Sequence, residues 1–187
     1  LEKTKSLALS YYKLKEALGM VTKSKHYLLV RNPYERIESF FRDKLRKHVD
    51  ETTTWQRSQR IFFPLLELNK NLPPKYIKKK LQDFPFKDFI QVLPQVYHKD
   101  PHLYPQFWVE YYGPKNNGWR MQYDNCFKME STKDIRALEK ALKLEFGKAE
   151  NSTRDIKEPL LWTPQLREVV NGIYREDFIR YAYQFEA

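Results

Sequence analysis

At 187 residues the chain is sized for one domain with one core, and 41% hydrophobic with 16% aromatic residues is enough apolar side chain to fill it, which excludes disorder as the main state. A surplus of 34 Lys and Arg over 24 Asp and Glu, formally +10, favours an anionic partner such as phosphate, sulfate, nucleic acid or a membrane surface. A single cysteine, Cys126, excludes an internal disulfide framework, four scattered histidines show no zinc-ligand spacing, and no run reaches the roughly 18 apolar residues of a membrane span. The opening LEKTKSLALS lacks the apolar centre of a signal peptide, so a soluble chain is expected. In chain order, Leu7, Tyr11, Leu14 and Leu18 recur at helical spacing over 4–18, and Gly19 ends that helix. Residues 26–31, HYLLVR, read as a central parallel strand buried on both faces. Asn32 and Pro33 then supply an N-cap and a first-turn proline for a helix over 33–47 that carries Tyr34, Ile37, Phe40, Phe41 and Leu45 inward.

From Thr52 to about Tyr97 the pattern predicts several short helices broken at Pro64, Pro73, Pro74, Pro85 and Pro94, with Lys78, Lys79 and Lys80 as a solvated face. A proline-punctuated loop follows over 101–113, and a short strand is expected around Cys126–Met129. Ser131 and Asp134 form a capping-box pattern ahead of Ile135, Leu138 and Leu142. Thr163 and Pro164 open a last helix with Leu166, Val169, Val170, Ile173 and Tyr174 on one face.

The stretch with chemical content is 26–41, HYLLVRNPYERIESFF, where an apolar strand ends in arginine and a helix begins at once. The first helical amides are unpaired, the helix dipole is positive at that end, and Arg31 adds a planar fork of donors, so the junction suits an anion. At 100° per residue Asn32, Arg36 and Ser39 fall within about 60° of one another and can face the same side. The same spacing also describes an ordinary capped helix with a basic face.

These residues resemble the 3′-phosphate-binding motif of sulfotransferases that use 3′-phosphoadenosine 5′-phosphosulfate (PAPS), in which an arginine ending a strand and a serine eight positions later hold the 3′-phosphate. Here those positions are Arg31 and Ser39, and Tyr34 and Arg36 also fit the version found in the carbohydrate sulfotransferase group (sulfotransferase family 2) and its microbial relatives. Three more stretches are similar in the same order. His102, Pro105 and Gln106 match a His-x-x-Pro-Gln element; FKMESTKDIRALEKAL (127–142) matches a strand followed by a Glu-containing helix start; Asn151 and Ser152, then Tyr174, Asp177 and Phe178, match the closing segment. LEKTKSLA aligns with the phosphosulfate loop, placing Lys3 on the 5′-phosphosulfate with Thr4, Lys5 and Ser6 at the helix start, although Glu2 replaces the family's proline and Lys5 a small residue.

The resemblance implies a three-layer, P-loop-like α/β domain over 1–187 with a short central parallel sheet flanked by helices, its first strand lying before Leu1. It implies sulfuryl transfer from PAPS to an acceptor hydroxyl on a sugar or glycan, with 3′-phosphoadenosine 5′-phosphate (PAP) as product and no metal. Donor contacts fall to Lys3, Thr4, Lys5, Ser6, Arg31, Ser39, Asn151 and Ser152; catalysis falls to Lys3 at the leaving oxygen and His102 as base, with His26, His98 and Glu16 as further candidates for the base. The single cysteine leans toward a reducing compartment, so a cytoplasmic setting is expected over a Golgi one, with neither nucleic acid nor membrane as partner. Two other readings fit the composition. One is a basic helical nucleic-acid-binding domain using its aromatics for stacking; the other is a sulfotransferase-like protein that binds nucleotide without turnover.

Overall fold

The computed structural model describes residues 24–47, 49, 57–111, 122–147 and 159–186. The expected helix over 4–18 and the sites at Lys3, Thr4, Lys5, Ser6, Asn151 and Ser152 lie outside the described residues. Two strands, β1 (Tyr27–Val30) and β2 (Asn125–Lys128), pair in parallel with Tyr27 opposite Asn125 and Val30 opposite Lys128. Parallel pairing requires a crossover, and all of the described helix before β2 lies within that connection. It comprises α1 (Pro33–Arg42), α2 (Arg57–Arg60), α3 (Pro74–Gln82) and α4 (Phe86–Val96); α5 (Thr132–Leu142), α6 (Pro164–Ile173) and α7 (Arg175–Arg180) follow β2.

The caps form where the residue types place them. Asn32 Oδ1 accepts from Tyr34 N–H at 2.9 Å with Pro33 at the first helical position, Ser131 Oγ accepts from Asp134 N–H at 3.2 Å, and Thr163 Oγ1 accepts from Leu166 N–H at 3.3 Å. The capping box at α5 is only half made, because the Asp134 carboxylate turns to Lys128 N–H at 2.9 Å and ties the helix start to the end of β2. Beyond Arg42 the α1 ladder widens into a π-helical turn, Asp43–Lys47, that still buries Leu45.

The core is aromatic and sits among the helices. Phe40 stacks on Phe89 at 5.9 Å, Phe41 meets Phe86 edge-on at 5.1 Å, and Trp162 does the same to Phe86 at 4.9 Å. Such pairs add about 0.5–1.5 kcal/mol each beyond the area they bury. Tyr34 joins this core to the C-terminal helices through Phe178 at 5.2 Å.

Two expectations are corrected. Pro94 does not break a helix: it lies inside α4, near its end, where only the bond from its own missing N–H is lost and Leu93 and Val96 remain fully buried. The strand is shorter than 26–31 and not buried on both faces, since Leu29 is 39% exposed and, among the described residues, β1 pairs only with β2. A continuous apolar run is equally compatible with one covered face, because Val30 alone of the strand is fully enclosed. Among the described residues no helix is long and apolar enough to cross a membrane.

Candidate functional site

Both strands end at the same edge, where ligands of open α/β sheets gather. There Arg31 leaves β1, and its peptide is held on both sides by one side chain: Arg31 N–H donates to Gln106 Oε1 at 2.8 Å, and Gln106 Nε2 donates to Arg31 C=O at 2.7 Å. Gln106 therefore pairs with Arg31 much as a neighbouring strand would. Gln106 is itself fixed from behind, since Asp177 Oδ2 accepts from Gln106 N–H at 2.7 Å and Oδ1 from Phe107 N–H at 2.8 Å. Asp177 is fully enclosed; burial drives its carboxyl above the ordinary range, against the two amides and the Arg36 guanidinium that favour its charge.

The loop before Gln106 is pinned by two more groups. Tyr174 Oη donates to Leu103 C=O at 2.7 Å in a fully buried contact, and Arg36 donates to Tyr104 C=O at 2.7 Å and Pro101 C=O at 3.3 Å. Burial lowers the Arg36 pKa, with Tyr174, Asp177 and Asp100 opposing that shift and Arg31 adding to it. The elements Arg31…Arg36, His102…Pro105-Gln106 and Tyr174…Asp177-Phe178, distant in sequence, thus form one interlocked unit.

This unit shapes a cavity of about 360 Å³ lined by Arg31, Arg36, Ser39, Phe40, Asp43, Lys44, Pro101 and His102. Arg31 and Ser39, expected to hold the donor, and His102, the preferred candidate for the base, meet there. Its wall carries the cations Arg31, Arg36 and Lys44 against the single carboxylate Asp43, which pairs with Lys44 at 2.8 Å. Arg31 touches Glu35 through Nε at 3.5 Å, a partly exposed pair that leaves the terminal nitrogens of the fork to other partners.

His102 presents an ordered imidazole at this wall. Asp100 Oδ1 accepts from His102 N–H at 2.8 Å and lies 2.8 Å from His102 Nδ1, while Asp100 Oδ2 accepts from Ser58 Oγ at 2.8 Å. Asp100 is buried at 1% exposure, whereas the His102 side chain is 62% exposed. Burial works to raise the Asp100 carboxyl, but the hydrogen bonds from the His102 amide, its ring and Ser58 outweigh it and hold the group below its ordinary range.

The helical-wheel grouping of Asn32, Arg36 and Ser39 is corrected in part. Arg36 and Ser39 share the cavity, but Asn32 caps α1 and faces a second cavity of about 290 Å³ lined also by Glu35, Lys128, Glu130, Ser131 and Tyr183. Glu130 bridges the strand ends there, accepting from Asn32 N–H and, at 3.1 Å, from Tyr183 Oη. Burial, reinforced by Glu130, raises the Tyr183 phenol above its ordinary pKa. Of the other candidate bases, His98 is exposed against Tyr97, His26 precedes β1 at the opposite end of the strand, and Glu16 lies outside the described residues. A larger cavity near α3 and α4 draws on Leu65, Leu66 and Tyr76, with lysines balanced by Asp83 and Asp88, and takes no residue from the strand ends.

Sequence reasoning missed Lys44, Asp100 and Ser58. Lys44 was legible as the next turn after Phe40 on the Arg36 face. Asp100 was legible as the first residue of Asp-Pro-His, a turn in which an aspartate caps its own backbone two residues on. Ser58 carried no signal, because its contact spans 42 positions.

Among the described residues no group of three or more His, Cys, Asp or Glu is placed to hold a metal ion. The sequence profile of the sulfotransferase family matches residues 3–184. No curated protein and no solved structure matches the chain.

Proposed function

The chain belongs to the sulfotransferase family, and we propose that it moves a sulfuryl group from PAPS to the hydroxyl of a carbohydrate acceptor within a three-layer, P-loop-like fold. The observation that carries this reading is the meeting of Arg31, Ser39 and His102 on one cationic cavity held by Gln106. The lining fits a phosphorylated nucleotide: two guanidinium groups, an ammonium and a hydroxyl suit phosphate oxygens, and Phe40 offers an apolar surface beside them.

In this reading Arg31 and Ser39 hold the 3′-phosphate. When bound, the donor supplies an SO₃ group on a phosphate leaving group, the S–O bond to phosphate breaking as the bond to the acceptor oxygen forms. His102 takes the acceptor's hydroxyl proton on Nε2, and Lys3 places an ammonium at the departing oxygen, with Thr4, Lys5, Ser6, Asn151 and Ser152 as further donor contacts. The +10 charge is compatible with an acceptor that is already anionic.

The test is a thermal-shift titration with PAP beside ATP and a random oligonucleotide, followed by transfer from labelled PAPS to a panel of glycans. Selective stabilisation by PAP and label on a sugar hydroxyl are expected. Equal stabilisation by the oligonucleotide would favour the nucleic-acid reading, and PAP binding without transfer a nucleotide-binding protein.

A further inference from the structure

We propose that Asp100 is a positioning residue that fixes His102 as the Nδ1–H tautomer, so that Nε2 is the proton acceptor of the cavity. The function of that acceptor rests on the sulfotransferase reading; the tautomer does not. Three observations lead here. Asp100 is enclosed, and one of its oxygens lies within 2.8 Å of both the backbone amide and Nδ1 of His102. Its other oxygen accepts from Ser58 Oγ, so the carboxylate cannot rotate away without stranding a buried hydroxyl. Finally, an ionised carboxylate only accepts hydrogen bonds, and the three contacts keep Asp100 ionised, so the hydrogen in the Nδ1 contact belongs to the ring.

The consequence is chemical. A neutral imidazole protonated at Nδ1 has its lone pair at Nε2, across the ring from Asp100 and unbonded to any described residue. When Nε2 takes a proton, the imidazolium that forms is stabilised by Asp100, so the carboxylate lowers the energy of the proton-transferred state more than that of the resting one. The other charged groups that line the cavity with His102 are Arg31, Arg36, Asp43 and Lys44, and Ser58 lies behind Asp100. An Asn at position 100 can keep this tautomer, its Oδ1 accepting from the His102 amide and Nδ1–H while its amide N–H donates to Ser58 Oγ, whereas an Ala removes the acceptor and leaves the ring free to carry its proton on Nε2.

Long-range ¹⁵N–¹H spectra of the full chain, with His102 assigned by its loss in His102→Gln, read the tautomer without any turnover. Wild type should show Nδ1–H with an unprotonated Nε2 in mildly alkaline buffer, Asp100→Asn should keep Nδ1–H, and Asp100→Ala should show Nε2–H. In the transfer assay Asp100→Ala should lose on the order of 10²–10³-fold in kcat while its PAP affinity stays within about twofold. Ser58→Ala should keep the tautomer and lose only a few-fold in rate. An Nε2–H tautomer in wild type overturns the proposal even if Asp100→Ala fails to fold, as does an Asp100→Ala protein that keeps the Nδ1–H tautomer or an unchanged rate. A wild-type protein that shows Nδ1–H but neither binds PAP nor transfers sulfate leaves the Asp100 assignment standing and removes the sulfotransferase reading instead.

Discussion

Gln106→Ala isolates the device that sets Arg31 in place. The amide makes two contacts to one peptide, accepting at 2.8 Å and donating at 2.7 Å, and both are partly buried. A neutral hydrogen bond contributes about 1 kcal/mol net, and a partner left unpaired in a buried site costs more, so losing both should destabilise the fold by about 2–3 kcal/mol. For a chain of this size each kcal/mol moves Tm by roughly 2–4 °C, which sets the expected drop at about 4–12 °C. Arg31 keeps its charge but loses its fixed backbone, so PAP affinity should weaken by about tenfold, or ~1.4 kcal/mol. Gln106→Glu separates the two bonds: a carboxylate still accepts from Arg31 N–H but meets the Arg31 carbonyl with no hydrogen between them. Differential scanning fluorimetry and titration calorimetry with PAP read both effects, Lys79→Ala serving as the exposed control. If Gln106→Ala melts and binds as wild type does, Arg31 is held by something other than this pairing and the account of the cavity edge is wrong.

Arg31→Ala should weaken PAP binding by on the order of 2–4 kcal/mol and Ser39→Ala by about 1 kcal/mol, since one removes a charge-assisted fork and the other a neutral donor; calorimetry ranking them equal with Lys79→Ala would reduce the cavity to general charge. Tyr174→Phe removes the buried 2.7 Å bond to Leu103 C=O and should cost about 1–3 kcal/mol in urea unfolding, and a neutral result would mean that the carbonyl finds another donor. Asp100 also sets an acid limit. Its folded pKa is depressed, so the unfolded chain binds the proton more readily, and its contribution is present above the ordinary Asp value of about 3.9 and lost as pH falls through the lower folded value. Urea midpoints of wild type and Asp100→Asn should therefore converge below about pH 4, and parallel curves would show that the carboxylate is not the titrating group.

What the sequence disclosed was local. Asn32-Pro33, Ser131 with Asp134, and Thr163-Pro164 announce helix starts because a cap is satisfied within three residues, and all three starts are found. β2 was legible around Cys126 for the same reason, as a short apolar pulse ahead of a cap. The motif residues Gln106 and Asp177 were legible as types, but their task was not, since Gln106 acts on Arg31 across 75 positions and Asp177 on Gln106 across 71. No periodicity encodes such distances. Pro94 failed as a helix breaker because the penalty falls on one bond near a helix end, and tertiary burial of Leu93 and Val96 outweighs it.

Burial of polar groups gives an independent sign of where the fold invests. A polar side chain taken out of water costs a few kcal/mol unless its bonds are remade, so each one kept inside marks something held in place. Among the described residues the buried polar side chains are Ser58, Gln59, Asp100 and Asp177. Ser58 bonds Asp100, Asp100 holds His102, and Asp177 holds Gln106 and Phe107. Gln59 donates to Lys44 C=O at 3.1 Å, fixing the far end of the same cavity wall. All four therefore act on residues that line or brace one cavity, while the aromatic core supplies the stability that offsets them. A merely basic surface would need none of these bonds, because exposed lysines attract anions without being positioned. Buried groups spent on the placement of Arg31, Lys44 and His102 are what a site requires when two reacting groups must meet at a defined distance.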